Sequence, residues 1–172
     1  MKHTMSVLVE NQPGVLSKVS GLFSRRAFNI DSLAVGITED PAVSRITLVV
    51  NGDDYVVEQV EKQLNKLIDV IKVKALKSGE FINRELMLIK VHANATTRSE
   101  VVQIAEIFGA RIVDVSRTTL TIECADTGVK LRNLEEMLEP YGIREIVRTG
   151  TIALERGVSL TRTKVSPDDG DH

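Results

Sequence analysis

Residues 10–16 read Glu10-Asn11-Gln12-Pro13-Gly14-Val15-Leu16. Ahead of this stretch, apolar residues alternate with other residues at Met5, Val7 and Val9, the period of a strand with one buried face. After it, apolar residues recur with the period of one helix face, at Val15, Leu16, Val19, Leu22 and Phe23. The stretch therefore predicts a strand, a tight turn and the beginning of a helix.

The predicted turn can offer backbone amides to a ligand. Pro13 fixes its own φ and is rarely found beyond the first turn of a helix, and Gly14 lets another molecule approach the main chain closely. Asn11 can hydrogen-bond the backbone that follows it. The amides that begin the helix suit a carboxylate or another small anion. An ordinary strand-to-helix turn explains the same residues, so both interpretations stay open here.

Composition and charge exclude several classes of function. The length of 172 residues suits two domains of roughly 80 residues each, and an apolar content of 42% can fill two cores. A net charge of −2 gives no attraction to nucleic acid or to acidic membranes. Aromatic residues make up only 3%, which leaves no platform for base stacking. We therefore expect neither nucleic acid nor a membrane as a partner.

The chain shows no pattern typical of a catalytic or metal site. The single cysteine, Cys124, cannot form an internal disulfide and is predicted to be a small buried strand residue. The three histidines are scattered, and no Ser/His/Asp set, HExxH motif or GxxxxGK[ST] loop is present. We find no signal peptide, transit peptide or 18-residue apolar run, so we expect a cytoplasmic protein.

One order of elements is predicted twice along the chain. In the first half, strands are predicted over 5–9, 32–37, 43–50 and 70–76, with helices after Gly14 and after an acidic cap at Asp53 and Asp54. In the second half, strands are predicted over 85–91, 110–116, 119–124 and 143–154, the last bent at Gly150, with helices around residues 101–108 and 131–138.

This order, βαββαβ repeated, predicts the α+β class with two ferredoxin-like domains in tandem, each an antiparallel sheet with both helices on one face. We predict a first domain over residues 1–76, a linker over 77–84, a second domain over 85–160 and a flexible polar tail over 161–172.

Longer runs carry a resemblance to a known family. The runs are Val9-Glu10-Asn11-Gln12-Pro13-Gly14-Val15-Leu16 and Gly21-Leu22-Phe23-Ser24-Arg25-Arg26-Ala27-Phe28-Asn29-Ile30-Asp31-Ser32-Leu33. They closely resemble the ACT regulatory domain of the small subunit of acetolactate synthase (acetohydroxyacid synthase). Three runs in the second half continue the resemblance: Arg84-Glu85-Leu86, Gly109-Ala110-Arg111-Ile112-Val113-Asp114-Val115 and Tyr141-Gly142-Ile143.

The resemblance implies a non-catalytic regulatory subunit that binds a separate large catalytic subunit. That large subunit would carry thiamine diphosphate, magnesium and FAD, and the small subunit would raise its activity and confer feedback inhibition by valine in branched-chain amino-acid biosynthesis. By match of position, the resemblance places the effector site at Asn11, Gly14, Val15 and Leu16 of one protomer, with Asn29 and Ile30 of another. No cofactor is expected on this chain itself.

Helix geometry favours a site shared by two protomers. A helix of about 13 residues, roughly 20 Å long, separates Asn11–Leu16 from Asn29 and Ile30, which places them at opposite ends of one sheet. If the second strand is an edge and pairs antiparallel with its two-fold mate, the two halves meet in an isologous homodimer with two equivalent sites. The small residues Ala34 and Gly36 permit the close approach.

In that site, helix-start amides of residues 14–16 would hold the effector's carboxylate, and the Asn11 and Asn29 oxygens its ammonium group. Leu16 and Ile30 would contact the aliphatic side chain, and Asp31 would add negative charge near the ammonium group. Leucine and isoleucine remain alternative effectors, because one methylene changes binding by only about 1 to 3 kcal/mol.

Two other functions stay open at this point. One is a stand-alone ACT-domain amino-acid sensor that controls another enzyme or a transcription factor. The other is a small ferredoxin-like enzyme, for which the sequence offers no catalytic residues.

Overall fold

The computed structural model describes residues 1–162, which group into two units. The first unit begins with β1 (Lys2–Glu10), α1 (Val15–Arg26), β2 (Ile30–Ile37), β3 (Val43–Asn51), α2 (Asp54–Asn65) and β4 (Val70–Ala75). Its strands form an antiparallel sheet in the order β2-β3-β1-β4. This is the ferredoxin-like arrangement that the sequence pattern predicted.

The core of the first unit lies between the sheet and both helices. Met5, Val7 and Val9 of β1 are buried on the face toward the helices, as their alternation predicted. The buried helix residues packed in the same core are Val15, Val19, Leu22 and Phe23 from α1 and Val57, Val60 and Leu64 from α2. The Asp53 side chain accepts a hydrogen bond from the Val56 amide at 3.0 Å, which confirms the predicted cap of α2.

The second unit comprises Asn83–Ile152. Its elements are β5 (Phe81–His92), α3 (Arg98–Ile107), β6 (Arg111–Val115), β7 (Thr119–Asp126), α4 (Gly128–Leu138), a 3-10 turn (Glu139–Tyr141) and β8 (Ile143–Arg148). The strand order β6-β7-β5-β8 repeats that of the first unit, and β9 (Ile152–Glu155) also pairs with β5. Cys124 is buried in β7, as predicted, and burial raises the pKa of its thiol.

The observed elements differ from the predicted ones at two places. Residues 81–84, placed in the linker by the sequence, belong to β5, so only residues 76–80 lie between the strands. The predicted final strand over 143–154 is two strands, β8 and β9. Gly150 has φ +85° between them, and this left-handed conformation interrupts the extended backbone.

Residues 153–162 group with the first unit, not with the second domain to which residues 85–160 were assigned. Arg45 of β3 donates to the Thr161 carbonyl, and Lys74 of β4 donates to the Glu155 carboxylate at 2.8 Å. Ser6 and residues of this segment line a cavity of about 330 Å³. Thr161, predicted to begin the flexible tail, is buried; residues 163–172 of that tail lie outside the described residues.

We predict that the attachment of residues 153–162 depends on pH through Glu155. Hydrogen bonds from Lys74 and Thr161 hold the pKa of the Glu155 carboxyl below its ordinary value. A lowered pKa in the folded state contributes stability above the ordinary value, about 4.3, and loses it as the pH falls through the lowered value. Glu155→Gln should therefore lower the free energy of unfolding at pH 7, measured in urea, and this difference should shrink below about pH 4.

Glu58→Gln is the control, because Glu58 forms only an exposed pair with Lys62 on α2. It should change stability little at either pH. A constant difference between wild type and Glu155→Gln across this pH range would contradict the assignment.

Candidate functional site

The turn between β1 and α1 is built around Gly14. This residue has φ +84° and ψ −10°, a left-handed conformation that costs a residue with a side chain about 1 to 2 kcal/mol. A Cβ atom built at Gly14 would meet no heavy atom within 4 Å. The backbone conformation therefore favours glycine here, and the space beside it is open to a ligand.

The N-cap residue of α1 makes no side-chain hydrogen bond to the helix. Gly14 is the N-cap residue, so it offers no side-chain acceptor, and the first turn contains no acidic residue. The Val15 amide donates a long bond of 3.5 Å to the Gln12 carbonyl, and the first bond typical of the helix runs from the Lys18 amide to the Gly14 carbonyl at 3.1 Å. The amides of residues 16 and 17 precede that bond and point along the positive end of the helix dipole. A carboxylate suits this position.

Asn11 is held by the turn between β2 and β3. Its backbone amide donates to the Ala42 carbonyl at 2.9 Å, and its side-chain Nδ2 donates to the Pro41 carbonyl at 3.0 Å. Only the NH₂ end of a carboxamide can donate to a carbonyl, so Oδ1 is the end that remains to accept a hydrogen bond from a ligand. This orientation fits the predicted contact with an ammonium group.

Val15 and Leu16 contribute to the site in different ways. Val15 is only 4% exposed and packs in the core, so it can offer a ligand its main chain alone. Leu16 is 44% exposed, although the spacing placed it on the buried helix face. Residues 15, 19 and 22 define that face, and a step of 100° from Val15 carries Leu16 to its edge. Its side chain is therefore free to contact a ligand.

The other predicted site residues lie at the far end of the sheet. Ile30 pairs with Val50, whereas Glu10, at the end of β1, pairs with Val43. Those two positions of β3 are about 23 Å apart at the rise of a strand. Asn29 and Ile30 help to line a separate open cavity of about 530 Å³. A single chain thus does not bring the two halves of the predicted site together.

The strand β2 is an edge of the first sheet. Its residues Val35 and Ile37 are 47% and 67% exposed. Ala34 and Gly36 on the same strand have a small side chain and none, so another chain can approach the backbone closely. Asp31, predicted to add charge beside the ammonium group, forms an ion pair with Lys2 at 3.4 Å, which partly neutralises it. An apolar, exposed edge strand favours pairing with a second chain.

Comparison with known proteins identifies the family. The family described as AHAS small subunit-like ACT domain matches residues 5–72, and the family described as small subunit of acetolactate synthase matches residues 84–157. The chain belongs to the acetolactate synthase small-subunit family. It is therefore a regulatory subunit with an N-terminal ACT domain, as the resemblance predicted.

Individual relatives agree along almost the whole chain. The acetolactate synthase small subunit of Mycolicibacterium smegmatis is 54% identical over 155 residues, 90% of this chain and 91% of the relative. The probable small subunit of Archaeoglobus fulgidus is 54% identical over 157 residues, 91% of this chain and 98% of the relative. The crystal structure of the Thermotoga maritima small subunit matches with a TM-score of 0.86 and 41% identity, over 91% of this chain and 98% of that one.

No helix within residues 1–162 is long and apolar enough to cross a membrane. In the same part of the chain, no group of three or more His, Cys, Asp or Glu side chains is placed to hold a metal ion.

Sequence reasoning missed the contribution of the β2–β3 turn to this site. Residues 38–41 form a turn whose contact with Asn11 joins residues 30 positions apart. Neither hydrophobic period nor turn chemistry encodes such a contact.

We predict that alanine substitutions at Val15 and Leu16 have different effects on the free energy of unfolding, because only Val15 packs in the core. Val15→Ala should lower the free energy of unfolding by about 2 kcal/mol, because it removes two methyl groups from the core. Leu16→Ala should change it by less than about 0.5 kcal/mol, because the side chain is exposed. Urea unfolding at a fixed protein concentration measures both, and equal losses would contradict the assigned orientation of the helix.

Proposed function

We propose that this chain binds and activates the catalytic large subunit of acetolactate synthase and confers feedback inhibition by valine. It would act in the cytoplasm, in the biosynthesis of valine, leucine and isoleucine. The large subunit would carry thiamine diphosphate, magnesium and FAD, and this chain would contribute no reacting group. Family membership supports the partner, and the open turn at Gly14 supports a small ligand.

The observation that carries the effector site is the separation of its two halves. Asn11–Leu16 lie at one end of the first sheet and Asn29 and Ile30 at the other, while β2 is an edge strand with exposed apolar residues. Antiparallel pairing of β2 with the same strand of a second copy brings the start of one strand beside the opposite end of the other sheet. A two-fold homodimer through the ACT domains therefore forms two equivalent sites.

A free amino acid matches the groups gathered in each site. Its carboxylate would bind amides at the start of α1, among residues 14–16, and its ammonium group would donate to Asn11 Oδ1 and to Asn29 of the second protomer. Leu16 and Ile30 would contact a branched aliphatic side chain. Both charges of the zwitterion are then matched, and neither half of the site binds the whole ligand alone.

Inhibition follows if valine prefers one arrangement of the interface. A ligand shifts an equilibrium only by its difference in affinity for the two states, so the inhibited arrangement must be the one that valine binds more tightly. Coupling of that arrangement to the catalytic subunit by about 1 to 3 kcal/mol, a typical allosteric free energy, suffices for a several-fold to hundredfold effect.

We predict that a charge on the β2 edge abolishes the dimer and valine binding together. Val35→Lys should yield a monomer in analytical ultracentrifugation and no heat of valine binding in calorimetry, because the lysine charge would be buried in the strand contact. Val113→Lys is the matched control: Val113 lies on the edge strand β6 of the second unit and is 45% exposed, against 47% for Val35. A Val35→Lys dimer that binds valine normally would exclude β2 from the interface.

We predict that Gly14→Asp removes valine sensitivity and leaves activation intact. Its carboxylate would lie where the effector's carboxylate binds, and facing like charges should weaken valine binding by about a hundredfold or more. Calorimetry on the purified chain, with about one site per protomer expected, and assays of the reconstituted holoenzyme measure the two effects.

Gly79→Asp controls for backbone strain and charge. Gly79 has φ +80°, and a Cβ atom built there also meets nothing within 4 Å, but it lies between β4 and β5. It should leave valine affinity unchanged. An unchanged valine affinity in Gly14→Asp would remove the turn from the site.

A further inference from the structure

The β2–β3 turn, residues 38–42, is closed by its own side chains. Asp40 Oδ1 accepts from the Ala42 amide at 3.0 Å, and Thr38 Oγ1 accepts from the Asp40 amide at 3.2 Å. The Val43 amide donates to the Asp40 carbonyl at 2.9 Å. These bonds fix the direction of the peptide groups between Asp40 and Val43, including the carbonyls of Pro41 and Ala42.

Those two carbonyls decide how Asn11 is presented. The Ala42 carbonyl holds the Asn11 backbone, and the Pro41 carbonyl holds its side-chain NH₂. Rotation of the carboxamide by 180° would set Oδ1 against the Pro41 carbonyl, where two acceptors repel each other. The turn therefore keeps an acceptor, and not a donor, directed away from Pro41.

We propose that this turn determines the class of ligand that the effector site accepts. By holding the Asn11 NH₂ group, Pro41 presents Oδ1 to the ligand, so the site selects an α-amino acid over the 2-oxo acid with the same carbon skeleton. Asp40 acts as a positioning residue, since it contacts the Ala42 amide and not the ligand. This inference rests on the proposed effector site and adds the origin of its selectivity.

The two ligand classes differ only at the group that would face Asn11 and, from the second protomer, Asn29. An amino acid places an ammonium donor opposite Oδ1, whereas a 2-oxo acid places a carbonyl acceptor there and leaves Oδ1 unpaired. The carboxylate and the branched side chain are common to both, and so are their contacts. Loss of the turn should therefore change the ratio of the two affinities, with little effect on the shared part of binding.

Calorimetric titration of the full chain with valine and with 3-methyl-2-oxobutanoate measures this ratio. For the wild type we expect valine to bind at least about tenfold more tightly, the effect of one hydrogen bond to a charged group. Asn11→Ala should reduce the ratio several-fold and leave a smaller preference for valine, because Asn29 of the second protomer would still accept from the ammonium group. Asp40→Ala should reduce it by about threefold to tenfold, mainly through weaker valine binding, because Asn11 can then rotate.

Two variants control for charge and chemistry. Asp40→Asn keeps an oxygen that can accept from the Ala42 amide and should retain the wild-type ratio. Glu39→Ala removes an exposed carboxylate from the same turn and should also retain it. Thr38→Val, which deletes the other side-chain acceptor of the turn, provides a second test if Asp40→Ala fails to fold, and it should lower the ratio in the same direction.

The outcomes separate the role of the β2–β3 turn from the existence of the effector site. A wild type that binds valine, with the ratio lowered by Asp40→Ala or Thr38→Val and kept by Asp40→Asn, supports the role of the turn. If Asp40→Ala and Thr38→Val bind valine with an unchanged ratio of the two affinities, the turn does not determine selectivity, and the effector site itself still stands. Failure of the wild-type homodimer to bind valine would overturn the effector site and this inference with it.

Discussion

The first unit depends on the antiparallel pairing of β1 with β3, which runs without interruption from Lys2 opposite Asn51 to Glu10 opposite Val43. Because β1 also pairs with β4, it lies inside the sheet, and side chains on both of its faces are buried. The pairing leaves β2 as an edge and places the exit of β1 at the end of the sheet opposite the start of β2. A site made from both regions then needs two chains, and this requirement follows from the register.

The turn between β2 and β3 connects the proposed dimer interface to the proposed ligand contact at Asn11. It ends the edge strand that is proposed to contact the second protomer, and its Pro41 carbonyl orients Asn11. A ligand that binds Asn11 therefore acts on a segment attached directly to the proposed interface. No long pathway through the core is required for a ligand to favour one interface arrangement, only a difference in affinity between two arrangements of neighbouring elements.

Local sequence patterns predicted most of the fold and, at the candidate site, the turn at Gly14. Alternation gave the buried faces of the strands, and the Asp53 cap and the Gly14 turn depend on residues within a few positions of one another. Contacts that join distant residues were not predictable in this way. Lys74 and Glu155 are 81 positions apart, and Arg45 and Thr161 are 116 apart, so the return of residues 153–162 to the first unit left no periodic signal.

The turn before α3 in the second unit differs from the turn before α1 in the first. The strand order of the two units is the same, but at the corresponding turn Asn94 Oδ1 accepts from the amides of Thr96 and Thr97 at 2.9 and 3.0 Å, just ahead of α3. The Asn94 side chain thus closes the turn that precedes α3 and directs its oxygen onto the protein's own backbone. Asn11 instead uses its nitrogen, on Pro41, and Gly14 has no side chain to cap α1. Two units of one architecture therefore differ in which end of an asparagine side chain faces the backbone at this turn.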